Sequence, residues 1–216
     1  ALTQVSAAEN ALDIGTGTGL VSLMLAQRKP TLQIDAIEID PEAAAQAVQN
    51  VAQSPWPHIR VQAVSLQDYT PNKQYGLIVS NPPYFVNSLK APQAARNTAR
   101  HTDTLSFADL LAGVNRLLLP GGCFWVILPS EAQTTFCWLA AQEGLYPQQI
   151  IHVHPRADKP AKRVVMCLVK QVLTEPTWLD GEPVKTPPPA IQTLIIEKER
   201  HVYTPQFASL TAPYYL

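Results

Sequence analysis

Apolar residues over the first two thirds of the chain fall into short β-rich runs separated by segments of helical period, which is how a doubly wound α/β sheet reads. The runs near 10–14 (Asn10 to Ile14), 33–38 (Gln33 to Glu38), 59–63 (Ile59 to Ala63), 76–80 (Gly76 to Ser80) and 122–128 (Gly122 to Leu128) predict strands. Leu20, Leu23 and Met24 set a helical face after the first run. Asp40, ahead of Pro41-Glu42, supplies an N-cap and a first-turn proline for an alanine-rich second helix. Further helices are predicted over 105–117 and 131–143. Beyond Gly144 the pattern changes: Gln148 to His154 and Arg163 to Lys170 are β-rich runs with no helical segment between them, so they form a hairpin whose strands run antiparallel. The expected fold is α/β and Rossmann-like, a seven-stranded, mostly parallel sheet with a terminal antiparallel hairpin and helices on both faces.

Residues 1–170 make up the predicted main domain. Five of the 20 prolines lie between Pro176 and Pro189, and Pro187-Pro188-Pro189 cannot continue a sheet, so 171–190 reads as an extended connector. Thr193 to Glu197 resembles a strand and Pro205 to Leu210 a short helix, which predicts that 171–216 folds back onto the same domain.

Composition narrows the class. The 216 residues are 46% hydrophobic and 15% charged, which describes one compact domain rather than a disordered or coiled-coil chain. A net charge of −1 advertises no anionic partner globally. No apolar run reaches the roughly 18 residues that a membrane span needs, so no membrane role is expected. Cys123, Cys137 and Cys167 are odd in number and widely spaced, which suits reduced core thiols and a cytoplasmic setting. The chain opens at Ala1 without methionine, so a processed or trimmed start is expected.

Candidate chemistry begins at Asp13-Ile14-Gly15-Thr16-Gly17-Thr18-Gly19-Leu20, three glycines at alternate positions where the first strand hands over to a helix. Such a turn brings backbone close to a ligand, and N–H groups at the helix start favour an anionic group. Position 20 is leucine, so the dinucleotide pattern G-x-G-x-x-G is not met and a nicotinamide cofactor is disfavoured. Asp13 suits a ligand with a cationic amine, and Glu38 stands at the end of the second strand, where the hydroxyls of a ribose arrive in an open α/β sheet. A ligand with an amino-acid end and a ribose is S-adenosylmethionine, with Ile39 packing on its adenine.

Leu77 to Ser80 runs into Asn81-Pro82-Pro83-Tyr84-Phe85. Two prolines pin the backbone and remove two N–H donors, leaving an acceptor-only pocket at the carboxyl end of the fourth strand. The Asn81 side-chain oxygen and the Pro82 carbonyl suit the two hydrogens of a planar –NH₂, with Tyr84 stacked on the ring that bears it. An amine held by its hydrogens aims its lone pair at a methyl donor, and displacement at a sulfonium carbon depends above all on such alignment.

Asp-Ile-Gly-Thr-Gly-Thr-Gly, Glu38 and Asn81-Pro82-Pro83-Tyr84 resemble the class I S-adenosylmethionine-dependent N-methyltransferases that modify adenine amines or glutamine amides. Ala43 to Ala47, Gln53 to Trp56, Ala99 to Thr102, Arg163 to Val165 and Leu210 to Leu216 further resemble the bacterial tRNA1(Val) adenine-37 N6-methyltransferase family. The resemblance implies a class I methyltransferase fold and methylation of the adenosine beside the anticodon, with Asn81, Pro82, Pro83 and Tyr84 as the catalytic motif. It implies cofactor contacts from Asp13, Gly15, Thr16, Gly17, Gly19, Glu38, Ile39 and Asn81. Members usually carry a further N-terminal segment that helps close the cofactor site, whereas here Ala1 to Glu9 precede the first strand. At the third strand, where an Asp commonly meets the adenine amine, this chain has Ser65-Leu66, and Ser65, Gln67 and Asp68 remain open for that role.

Residues 84–101 carry +3 from Lys90, Arg96 and Arg100, and residues 150–170 carry +4, which leaves −8 for the remainder. Two basic segments flanking one mouth favour RNA, since phosphate contacts dominate nucleic-acid affinity. Phe85, Arg96, Arg100, His101, Lys162 and Arg163 are the expected tRNA contacts, on a chain expected to act as a monomer. His152 and His154 share a strand face but have no evident third ligand, and no metal is expected. Two alternatives share the motif or the fold: a protein-glutamine N5-methyltransferase of the release-factor type, and a catalytically silent cofactor-binding RNA module.

Overall fold

The computed structural model describes residues 8–82, 105–171, 178–179, 182–183 and 187–214. Its elements run β1 (Asn10–Ile14), α1 (Leu20–Arg28), β2 (Gln33–Glu38), α2 (Pro41–Ala52), β3 (Arg60–Ala63), β4 (Tyr75–Ser80), α3 (Phe107–Leu117), β5 (Leu118–Pro129), α4 (Gln133–Gln142), β6 (Leu145–Arg156) and β7 (Arg163–Lys170). A two-stranded ladder of β8 (Trp178–Leu179) and β9 (Glu182–Pro183) follows, then β10 (Ala190–Glu199), β11 (Val202–Tyr203) and α5 (Pro205–Thr211).

The class expected from the pattern is the one observed, but the sheet is larger. It has nine strands in the order β11-β10-β6-β7-β5-β4-β1-β2-β3. The seven expected strands are all present, and β10 and β11 extend the sheet because β10 pairs parallel with β6 from Ala190 against Gln149 to Glu197 against Arg156. The connector is also less uniform than its prolines suggest, since 178–179 and 182–183 pair with one another. The expected helix over 131–143 opens as a 3₁₀ turn at Ser130–Ala132 before α4. β5 starts directly at the end of α3, earlier than residue 122.

Two apolar layers sandwich the sheet. On one face Leu12, Ile37, Ile78 and Phe124 pack against Leu110, Leu111 and Val114 of α3 and Phe136 of α4. On the other, Ala11, Leu77, Val79 and Trp125 meet Leu25 and Ala26 of α1, with Phe207 and Leu210 of α5 against the same layer. α5 is capped by Thr204, whose hydroxyl accepts from Phe207 N, so the tail helix has its own start signal.

The loop after β3 is held from three sides. Ser65 Oγ donates to Asp68 Oδ2 (2.7 Å) and accepts from Asp68 N (3.1 Å). The Tyr69 and Tyr75 hydroxyls are 2.6 Å apart, and Tyr75 donates to the buried Asp35 carboxylate, which also pairs with Lys73 at 2.7 Å. α3 lies against Leu66 at Gly113, where an added Cβ would come within 2.5 Å of Leu66 Cδ2. A helix-interior glycine costs about 1 kcal/mol against alanine, and here that cost is offset by close approach. Gly113→Ala is therefore expected to lower unfolding stability by about 1–3 kcal/mol through overpacking. Combining it with Leu66→Ala, which vacates the clash, should recover part of the loss in a urea-denaturation double-mutant cycle; strict additivity would count against this packing.

Candidate active site

The carboxyl ends of β1, β2 and β4 and the loop after β3 surround a cavity of about 620 Å³, within the usual range for small-molecule sites. Gly15, Gly17, Glu38, Ile39, Ser65, Leu66, Asp68, Asn81 and Pro82 border it.

The glycine turn is built by its backbone. Gly15, Gly17 and Gly19 all have positive φ (68°, 56° and 88°), a region that side chains disfavour. Gly15 N and Thr16 N both donate to Ile37 O, at 2.9 and 3.0 Å, which fastens the turn to β2. Glu38 reaches across from the end of β2: its Oε2 accepts from Gly17 N (2.8 Å) and its Oε1 from Asp40 N (3.1 Å). Both carboxylate oxygens are thus aimed by the backbone and keep lone pairs for further donors. Ile39, 49% exposed, offers a flat apolar wall beside Glu38.

Asp13 sits elsewhere than the sequence suggested. It is 1% exposed and lies beneath the turn, outside the cavity lining. Its Oδ2 accepts from Thr16 Oγ1 and Ser22 Oγ, each at 2.7 Å. Burial pushes its carboxyl up from the ordinary value, and the Thr16 and Ser22 hydrogen bonds offset part of that rise. Thr16 is likewise turned inward, and Gly19 packs on α2, where an added Cβ would stand 3.4 Å from Ala47 Cβ. These three shape the turn rather than line the cavity.

Asn81 and Pro82 follow directly on β4, whose last residue, Ser80, donates through Oγ to Ile14 O of β1 (2.9 Å). That bond fixes the height of the acceptor pair against the glycine turn. Pro83, Tyr84, Phe85, Lys90, Arg96, Arg100 and His101 lie outside the described residues. Ser65 and Asp68 are bonded to one another, and of the two the Ser65 hydroxyl already spends its proton on Asp68. Gln67 also borders the cavity. Lys162 and Arg163 are exposed at the β6–β7 turn, which reaches the same end of the sheet because Arg163 pairs with Pro129 at the end of β5.

Two further groups were missed in the sequence. Arg116 on α3 donates to Tyr69 O (2.8 Å) and Leu66 O (2.9 Å), either side of the cavity loop. Lys198 and Arg200 lie at the β10–β11 turn, brought beside Arg156 by the β10–β6 pairing. His154 Nδ1 lies 2.8 Å from Lys159 O, and among the described residues no group of three or more His, Cys, Asp or Glu is placed to hold a metal. Among the described residues no helix is long and apolar enough to cross a membrane.

Residues 1–137 match the model of the methyltransferase small domain family. The chain belongs to that family. A curated relative from Parabacteroides distasonis is 44% identical over 208 residues, covering 95% of this chain and 82% of its own. One from Trichodesmium erythraeum is 43% identical over 221 residues, covering 100% of this chain and 87% of its own. Both are named tRNA1(Val) (adenine(37)-N6)-methyltransferase. Among solved structures, one described as a predicted O-methyltransferase from Agrobacterium tumefaciens superposes with a TM-score of 0.70 at 16% identity, covering 98% of this chain and 92% of that one. The N-methyltransferase NodS from Bradyrhizobium japonicum, solved with S-adenosyl-L-homocysteine, gives 0.56 at 17% identity over 76% of this chain and 79% of that one; both share the fold. The methyl donor of this methyltransferase is S-adenosylmethionine.

The buried Asp13 gives a pH-dependent prediction for the methyltransferase. An acid whose folded pKa is raised binds its proton more tightly folded than unfolded, so its contribution favours folding at low pH and declines as pH rises from about 3.9 through the folded value. Asp13→Asn keeps an oxygen for Thr16 and Ser22 but cannot ionise. The wild-type unfolding free energy relative to Asp13→Asn should therefore fall as pH rises above about 4 in parallel urea titrations, and a flat difference would remove the desolvated carboxylate from the account.

Proposed function

We propose that this chain transfers a methyl group from S-adenosylmethionine to the exocyclic N6 of the adenosine at position 37 of tRNA1(Val), beside the anticodon, in the cytoplasm. The observation that carries the reading is that Asn81 and Pro82 border the same cavity as Glu38, Ile39 and the glycine turn, so acceptor groups for an amine and a cradle for the donor meet in one space. The relatives' names supply the substrate.

The residues present fit the donor. Glu38, held by two backbone N–H groups, accepts from the ribose hydroxyls. Ile39 and Leu66 border the space for the adenine, with Ser65 and Asp68 at its edge. Gly15 and Gly17 give the amino-acid end close backbone contact, while Asp13, Thr16 and Gly19 hold the turn in shape. When bound, the cofactor supplies a methyl group made electrophilic by its sulfonium.

Asn81 and the Pro82 carbonyl accept the two hydrogens of the target amine and direct its lone pair toward the cavity. Pro82 has no N–H to compete with its carbonyl for the amine. The nitrogen becomes acidic once it has gained the methyl, and its proton leaves late, to carbonyl or water, with no prior general base. Pro83 stiffens the motif, Tyr84 stacks on the extruded base, and Phe85, Arg96, Arg100 and His101 continue the contact on the RNA.

A second contact surface comes from the strands beyond β5. Registers Ser80 with Val126, Pro129 with Arg163, Val153 with Arg163 and Arg156 with Glu197 carry β6 and β10 roughly 20 Å past the end of β4. Over residues 156–163 and 197–201, Arg156, Lys159, Lys162, Arg163, Lys198 and Arg200 stand against Asp158, Glu197 and Glu199, a net +3. This raised basic tip meets phosphates of the anticodon arm, not the reacting base.

Labelled cofactor incubated with tRNA lacking the modification should yield 6-methyladenosine; label in protein glutamine instead would reject the reading. Asn81→Ala should abolish that turnover while leaving S-adenosylhomocysteine affinity within about threefold of the parent by calorimetry. Replacing Lys162 and Lys198 by alanine should weaken tRNA binding and flatten the slope of log K against log salt by about one unit per lost phosphate contact. Identical slopes for parent and variant would place the RNA elsewhere.

A further inference from the structure

We propose that Arg116 is a positioning residue for the cofactor's adenine: from outside the cavity it fixes the loop Ser65–Tyr69 that forms the adenine wall. The inference rests on the placement of the adenine beside Ser65 and Asp68 given above. The guanidinium donates from Nη1 to Tyr69 O at 2.8 Å and from Nη2 to Leu66 O at 2.9 Å, so one rigid planar fork spans a full turn of the loop. Arg116 itself does not border the cavity, whereas Ser65, Leu66, Gln67 and Asp68 all do.

The anchor behind the fork is firm. Arg116 lies in the last turn of α3, and its carbonyl accepts from Gln74 Nε2 (3.1 Å). The Gln74 carbonyl in turn accepts from Asn10 Nδ2 (2.9 Å) at the start of β1. Three residues back on the same helix, Gly113 admits Leu66 to near contact with the helix backbone. The loop is thus pressed down at Leu66 and gripped at both carbonyls.

The consequence is local. With Ser65 Oγ committed to Asp68 Oδ2, the direction of the remaining Asp68 oxygen follows the carbonyls on either side, Leu66 O and Tyr69 O. Releasing the fork lets the turn rotate and blurs its reading of the 6-amino group, while the ribose contact at Glu38, on another strand, is untouched.

The test compares S-adenosylhomocysteine with S-inosylhomocysteine, which carries a carbonyl in place of the 6-amino group, by calorimetry. The parent should prefer the amino form. Arg116→Ala should reduce that preference about fivefold, mostly by weakening S-adenosylhomocysteine, with the tRNA KM at saturating cofactor unchanged. Arg116→Gln, which keeps a donor for one carbonyl, should fall between the two. Equal weakening of both ligands with the preference intact would overturn the proposal and leave Arg116 a stabilising residue only. Asp68→Ala separates the two levels of the argument: a lost preference there alongside an intact one in Arg116→Ala defeats the positioning role alone, whereas an intact preference in both defeats the adenine placement on which it rests.

Discussion

A carboxylate taken almost completely out of water governs the carboxyl edge of this sheet. Asp13 at the end of β1 is costly to bury, and that cost is contained because Thr16 and Ser22 each donate to the same oxygen. To bring both hydroxyls there, the chain must leave β1, double back and enter α1 within a few residues. Only glycines accept the resulting positive φ values without strain. The same tight turn presents Gly17 N to Glu38, so a buried group outside the cavity lining sets the acid that borders the cavity.

That ordering explains which features the sequence showed. The glycine spacing and Glu38 were visible because both obey strand-end rules that involve few residues and short separations. Asp13 was seen but given a direct role, since a carboxylate at a strand end reads the same whether it faces a cavity or two hydroxyls beneath it. The pairing of Thr16 and Ser22 on one oxygen depends on the pitch of α1 and leaves no recognisable motif. Asn81 and Pro82 were legible for the opposite reason: two prolines allow few backbone conformations, so their chemistry is nearly fixed by composition.

The fold followed from periodicity as far as β7 and then became harder to read. Each of β1 to β7 contains a run that helical or turn segments set off in the sequence, although β5 and β6 extend to twelve residues each, beyond those runs. β10 is a ten-residue strand with exposed Ile191, Gln192 and Thr193, so its pattern understates its length, and its partner β6 is more than 40 residues away in sequence. Lys198 and Arg200 were consequently not grouped with the 156–163 turn, although the pairing sets them beside it. Arg116 escaped for a different reason: its partners are main-chain carbonyls, which carry no sequence signal at all.

Strand order then separates the tasks. β3, β2 and β1 lie on one side of β4 and carry the donor cavity, while β5, β7, β6 and β10 lie on the other and rise past it. Asn81 leaves β4 at the border between them. β7 and β10 flank β6: β7 ends at its foot, where Lys170 pairs with Leu145, and β10 starts near that foot, where Ala190 pairs with Gln149. The basic tip rides on β6 and β10, whereas Glu38 and the glycine turn ride on β1 and β2, so a change that displaces β10 should alter the tip before it alters the cavity.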